Sequence, residues 1–204
     1  MVNLNLLYQN IKGPAKYSLR LWGDRVMKDW NVVLTSQMGQ ERRLMQEIAE
    51  YGEFQFTGFR AVIIGKVADT GEFLETLRQA WEAKPFLSHI LSTAIPVQKV
   101  FPFTLENLME RLQQEALAFL PQIDEKPFYV RVKRRGHKGE VSSLEVEQSL
   151  DHFLLNELAA RGQQGRIDFH EPEVILFVEL LHNQAGLTLI TKEMKQRYPF
   201  IKVK

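Results

Sequence analysis

Cysteine is absent from all 204 residues. That excludes disulfides, thiolate nucleophiles, iron–sulfur clusters and cysteine-ligated zinc. No apolar run approaches the roughly 20 residues that a helix needs to cross a bilayer, and the first residues lack a compact apolar signal region with a cleavage site. Together these absences predict a cytoplasmic protein. Nucleotide-binding loops are missing too, with no GxxxxGK(S/T) and no GxGxxG following a strand. His89, His137, His152, His170 and His182 show no paired spacing of a metal site, so no metal or cofactor is expected. Net charge is also scarce, at +1 for the whole chain.

What charge there is has been gathered into one place. Arg131, Lys133, Arg134, Arg135 and Lys138 face Glu140 alone within residues 127–143, a local charge of +4 that leaves the remainder at −3. A near-neutral chain with its cations concentrated points to a polyanion partner. Charges guarding a sheet edge give the same pattern. Phe128, Val130 and Val132 alternate with Tyr129, Arg131 and Lys133, the period of a half-buried strand with one apolar and one cationic face. The strand breaks at Gly136-His137-Lys138-Gly139, and Ser142 with Glu145 three residues on announces a capped helix from Ser143. A basic strand, a glycine-bounded loop and a helix N-terminus each favour anions. The loop has the look of a GxxG phosphate clamp, although it joins a strand to a helix.

The fold class expected is α+β in two units behind an N-terminal extension over residues 1–29, where a short helix from Ala15 to Met27 is possible. Residues 30–103 read as βαββαβ, a ferredoxin-like order. Its strands are Val32–Thr35, Phe54–Thr57, Ala61–Val67 and Ile95–Phe101, and its helices run over Gln40–Tyr51 and from Thr70 through Trp81 to an end before Pro85. Residues 104–204 read as a second α/β unit with a mixed sheet. A helix follows Thr104 and carries Leu105, Leu108, Leu112, Ala116 and Phe119 on one face. Then come the basic strand, a helix over Ser143–Arg161, a short strand Ile167–Phe169, a turn at His170–Glu173, a long apolar strand Val174–Leu181 and a final strand Leu187–Thr191.

This second unit resembles a THUMP domain, the RNA-binding module of several tRNA-modifying enzymes, over roughly residues 104–191. The resemblance rests on Phe128 to Arg135, on Ser143-Leu144-Glu145, on Ile167-Asp168-Phe169 with Pro172-Glu173, on Val178-Glu179, and on Ala185-Gly186-Leu187. Phe169 and Glu173 depart mildly from the family pattern. The preceding unit is similar to the ferredoxin-like domain that often stands before THUMP, and the two-unit form resembles the adaptors of tRNA cytidine acetylation. The resemblance implies tRNA as partner, bound at the acceptor stem and 3′ end, and a separate modification enzyme to which tRNA is presented. It gives Lys133, Arg134 and Arg135 the RNA-contact role. The residues themselves add Arg131, Gly136, His137, Lys138, Gly139, Ser142 and Ser143 as phosphate contacts, and Tyr129 as a ring on which an exposed base stacks.

Catalytic signals are thin. Asp151 beside His152 reads as a surface pair, and Asp168, Glu171 and Glu173 as parts of a structural turn. The expectation is therefore a noncatalytic RNA-binding adaptor. The alternative is an RNA-modifying enzyme with its active site between the two units.

Overall fold

The structure, a computed structural model, describes residues 27–203. Most of the N-terminal extension, including the helix expected over Ala15–Met27, lies outside the described residues. The elements are β1 (Val32–Ser36), α1 (Glu41–Ile48), β2 (Glu53–Phe56), β3 (Val62–Lys66), α2 (Thr70–Ala83), α3 (Leu87–Ile90), β4 (Leu91–Pro96), β5 (Lys99–Pro102), α4 (Leu108–Ala116), α5 (Leu120–Ile123), β6 (Pro127–Arg135), α6 (Ser143–Ala160), β7 (Arg166–Ile167), β8 (Val174–Leu181), β9 (Gln184–Thr191) and α7 (Lys192–Arg197).

They build two sheets, one of four strands in the order β2-β3-β1-β4 and one of five in the order β5-β9-β8-β6-β7. The first is antiparallel throughout, and its elements follow the expected βαββαβ order with the short α3 inserted before β4. The second is mixed: β6 runs parallel to both β8 and β7, while β9 is antiparallel to β8 and to β5. Local chemistry sets the helix starts. The Asp69 carboxylate accepts from the Glu72 amide at 2.8 Å ahead of α2. The Ser142 hydroxyl accepts from the Glu145 amide at 3.3 Å ahead of α6. Each satisfies an amide that the first helical turn cannot.

The strand expected over Ile95–Phe101 is two strands in two different sheets. Pro96 has no amide hydrogen to donate, and the chain leaves the first sheet there. Gln98 anchors the crossing. Its amide donates to Leu187 O, and its side-chain oxygen accepts from the Leu189 amide and the Thr188 hydroxyl. The first helix of the second unit starts later than Thr104 suggests, at Leu108, and leaves Leu105 exposed. The last strand starts earlier, at Gln184, because the hairpin turns on His182 and Asn183 alone, with His182 at φ 51°.

Both faces of the second sheet are covered. On one, Phe128, Val130, Val132, Leu176, Val178 and Leu180 pack beneath α4, α5 and α6. On the other, Tyr129, Ile175, Phe177 and Ile190 share a core with α1, α2 and the first sheet, completed by Phe200 and Ile201. All eight residues of β8 are buried, as a long apolar strand broken only by Glu179 suggests when it is covered on both sides. The C-terminal segment closes over the first sheet: the Ala94 amide donates to Phe200 O at 3.0 Å. Arg197 bonds Glu75, whose carboxyl Arg78 and Arg197 hold at about 2. Among the described residues no helix is long and apolar enough to cross a membrane.

Candidate nucleic-acid interface

The basic strand β6 has one paired edge and one nearly open one. β8 pairs with it from Phe128 to Arg135, but β7 pairs only with Pro127 and Phe128. Beyond that point α6 supplies the acceptors. Asp151 Oδ1 takes the Val130 amide and Glu147 Oε1 the Val132 amide, each at 2.8 Å. Two carboxylates thus finish the hydrogen bonding of an edge that a missing strand would otherwise complete. This corrects the reading of Asp151 as a surface residue, since its side chain is buried. Burial, with the nearby Glu147 charge, raises its carboxyl to about 6 against the pull of the Val130 amide.

The cations of β6 divide into two kinds. Arg131 lies 3.4 Å from Glu147 and stacks over the Tyr129 ring. Arg135 donates through Nε to Glu179 Oε1 at 2.7 Å, and Glu179 is only 2 % exposed. Burial pushes the Glu179 carboxyl up, and Arg135, with a smaller pull from the Lys133 charge, opposes that shift. Arg135 therefore first neutralises a buried acid, which the sequence reading of it as a free phosphate contact missed. Lys133 stands opposite Glu179 in the ladder. Among the described residues neither Lys133 nor Lys138 forms an ion pair. Arg134 does not escape the strand, which runs on through Arg135. Its guanidinium curls back to donate to Gly136 O, leaving its Nε buried without a partner.

Tyr129 is the clearest correction. It is 6 % exposed and enclosed in the core shared by the two sheets, so no base can stack on it. The alternation predicted a solvent face, but the first unit covers that face from the Tyr129 end.

The loop after β6 is held by folding contacts on three sides. His137, at φ 50°, places Nε2 at 3.0 Å from both His182 O and Asn183 Oδ1, and Nδ1 at 3.2 Å from Glu140. The His182 ring packs 4.5 Å from Phe59, on the β2–β3 turn of the first unit, and its Nε2 meets Thr57 O at 3.0 Å. His137 is accordingly a brace for the loop. Lys138 and Gly139 are exposed, with Ser142 at the helix cap and Ser143 half-buried behind it. Folding also brings exposed Arg60, next to Phe59, to this end of the molecule; nothing in its local sequence signals that placement. Gly136 has φ 104°, and a Cβ there would stand 3.4 Å from Phe59 Cζ. Gly136→Ala is expected to cost about 1–3 kcal/mol of stability, read by thermal unfolding, because an L side chain is strained at this φ.

Between the sheets, Trp30, Val33, Val62, Ile64, Val97 and Leu181 fill the junction beside this loop cluster. Among the described residues no group of three or more His, Asp or Glu side chains is placed to hold a metal ion. Asp168 is part of a turn, as expected: its Oδ1 accepts from the His170 and Glu171 amides, each at 2.9 Å. Those two bonds hold its carboxyl below the usual range.

Residues 106–190 match the family model of the THUMP domain, and the chain contains that domain. A curated protein of Clostridium perfringens named Probable tRNA sulfurtransferase is 29 % identical over 84 residues, covering 41 % of this chain and 21 % of the relative. A second protein of that name, from another strain, is 30 % identical over 77 residues, 38 % of this chain and 19 % of the relative. The chain thus spans about a fifth of the length of these relatives. Among solved structures, TrmN from Thermus thermophilus superposes with a TM-score of 0.58 at 21 % identity, over 78 % of this chain and 44 % of that one. A 4-thiouridine synthetase in complex with RNA and ATP gives 0.50 at 11 % identity, over 79 % and 41 %. These structural likenesses speak to the fold. The sequence relatives overturn the expectation of a noncatalytic chain, because the segment they share with it belongs to proteins named for an enzymatic reaction. Missing catalytic motifs in these 204 residues were therefore a poor ground for that expectation. The THUMP match supports the domain and does not single out an acetylation adaptor.

Proposed function

We propose that this chain, with its THUMP domain, is the tRNA-binding part of a tRNA-modifying enzyme. The observation that carries the reading is the strand–loop element from Lys133 to Lys138. Lys133 on β6 and Lys138 on the following loop stand without ion pairs among the described residues, and that loop is braced by His137 and docked on the first unit through His182 and Phe59. Fixed cations beside a capped helix N-terminus bind phosphates without reading bases, so the element grips the tRNA backbone and positions it. The names of the sequence relatives supply the substrate class and the enzymatic setting. The resemblance adds the acceptor stem and 3′ end as the bound region. Two relatives named Probable tRNA sulfurtransferase make sulfur transfer to tRNA the first reaction to test.

The test is genetic and chemical. Delete the gene in its source organism and compare tRNA nucleosides by mass spectrometry. One modified nucleoside is expected to disappear, to return with the wild-type gene, and to return incompletely with the Lys133→Ala, Lys138→Ala gene. An unchanged nucleoside profile contradicts the proposal.

A further inference from the structure

Phe169 is exposed by 62 %, and of the exposed large apolar side chains among the described residues only it and Phe56 are aromatic. Phe56 ends an edge strand of the first sheet. Phe169 lies next to the basic strand instead, with its ring 5.3 Å from that of Tyr129 and tilted by 45°. The Arg131 guanidinium also sits 5.3 Å from the Tyr129 ring. The buried tyrosine therefore carries an exposed ring and a half-exposed cation as neighbours.

The exposed ring is held in place. Asp168, just before it, accepts two backbone amides and closes the turn, and the Asp168 amide donates to Phe128 O at 2.9 Å. Presenting a ring from a fixed turn reduces the ordering cost of whatever binds it. The turn also limits what that can be. Asp168, Glu171 and Glu173 surround it, with Arg166 at 3.6 Å from Asp168 and Lys192 at 3.4 Å from Glu171 as partial counter-charges. This mixed, slightly acidic setting repels a phosphate but accepts a neutral aromatic base. Arg131 and Lys133 stand further along the same face of β6.

We infer that Phe169 is the stacking platform for an unpaired nucleobase of the bound RNA, the role that the alternating pattern assigned to Tyr129. The inference rests on the RNA-binding reading above and adds a single-strand subsite to it. Base–aromatic stacking contributes about 1–3 kcal/mol per base. A tailed RNA then loses roughly 5- to 150-fold in affinity when the ring is removed.

The experiment compares an RNA hairpin bearing a short single-stranded 3′ tail, with 2-aminopurine in the tail, against the same hairpin without it. The proteins are wild type, Phe169→Ala, Phe169→Trp and, as an exposed apolar control, Leu144→Ala. Wild type is expected to bind the tailed hairpin more tightly and to quench its fluorescence. Phe169→Ala loses that preference while binding the blunt hairpin as before, and Phe169→Trp and Leu144→Ala keep it. Equal wild-type affinity for the two hairpins overturns the base site and leaves RNA binding standing. A preference that survives in Phe169→Ala, or a loss shared equally by the blunt hairpin, also overturns it. So does a change of sedimentation in Phe169→Ala, which would make the ring a protein contact. Binding of neither hairpin by wild type overturns both this inference and the reading it rests on.

Discussion

Arg135→Ala is expected to destabilise the protein by about 3 kcal/mol, a larger effect than any it has on RNA. Glu179 is fully buried on the central strand of the second sheet and bonds Arg135 at 2.7 Å. Removing the guanidinium strands a carboxylate where water cannot reach it. Breaking buried pairs in this way typically costs about 3–5 kcal/mol, and the partial exposure of Arg135 places this one at the lower end. For a chain of this size that is a fall in Tm of about 6–12 °C, measured by circular dichroism. Arg135→Met combined with Glu179→Leu removes both charges and is expected to recover most of the loss, since replacing a buried pair with apolar groups is often neutral. An unchanged Tm in Arg135→Ala would mean that Glu179 is already neutral, and the pair would lose its structural role.

The second large effect is a contribution of Asp151 to stability that falls as pH rises. Asp151 titrates at about 6 in the folded protein against 3.8 as an ordinary aspartate, chiefly through burial. Between about pH 4 and 6 the folded state therefore binds more protons than the unfolded state. The sign follows directly: the Asp151 contribution to stability decreases with rising pH across that window, and its full penalty is present above it. A shift of this size corresponds to about 3 kcal/mol at most. Asp151→Asn keeps an oxygen for the Val130 amide and removes the charge, but adds an amide group that needs a partner. It is expected to stabilise the protein at pH 7 by about 1–2 kcal/mol and to flatten the curve below pH 6. Glu179, also pushed up by burial, leaves a residual slope of the same sign. Urea unfolding at several pH values is the measurement. A wild-type to variant difference that stays constant from pH 4 to 7 would contradict the assignment.

Much of this architecture is legible locally. The long apolar run of Val174–Leu181, interrupted only by Glu179, gives the central strand residue for residue. Ser142 with Glu145 gives the start of α6, and Gly136 and Gly139, both at positive φ, bound the loop. These signals lie within a few residues of what they determine. The site was less legible because long-range contacts decide which cations remain available. Arg135 reads as a surface charge until β8 brings Glu179 beside it, 44 residues later in the chain. Tyr129 sits in a half-polar alternation, yet the first unit and the C-terminal segment bury it. Glu179 was a clue, since a lone acid inside an apolar strand needs a cation. In sequence Phe169 reads as the end of a short strand, and its exposure depends on the turn that Asp168 closes. The break at Pro96 was available in sequence and was overridden by the apolar run around it.

The central claim is that Lys133 and Lys138 of the strand–loop element, which form no ion pair among the described residues, grip RNA phosphates. It is tested most directly by the salt dependence of tRNA binding to wild type, to Lys133→Ala with Lys138→Ala, and to Arg42→Ala with Arg43→Ala on α1. Each phosphate contact contributes about −0.7 to −0.9 to the slope of log K against log salt. The account predicts a steep slope for wild type and for the α1 control. For the Lys133, Lys138 variant it predicts a slope shallower by roughly 1.4–1.8 units, with all tRNAs weakened alike. A flat salt dependence in wild type, or a control that loses as much as the test pair while both remain folded, would contradict it.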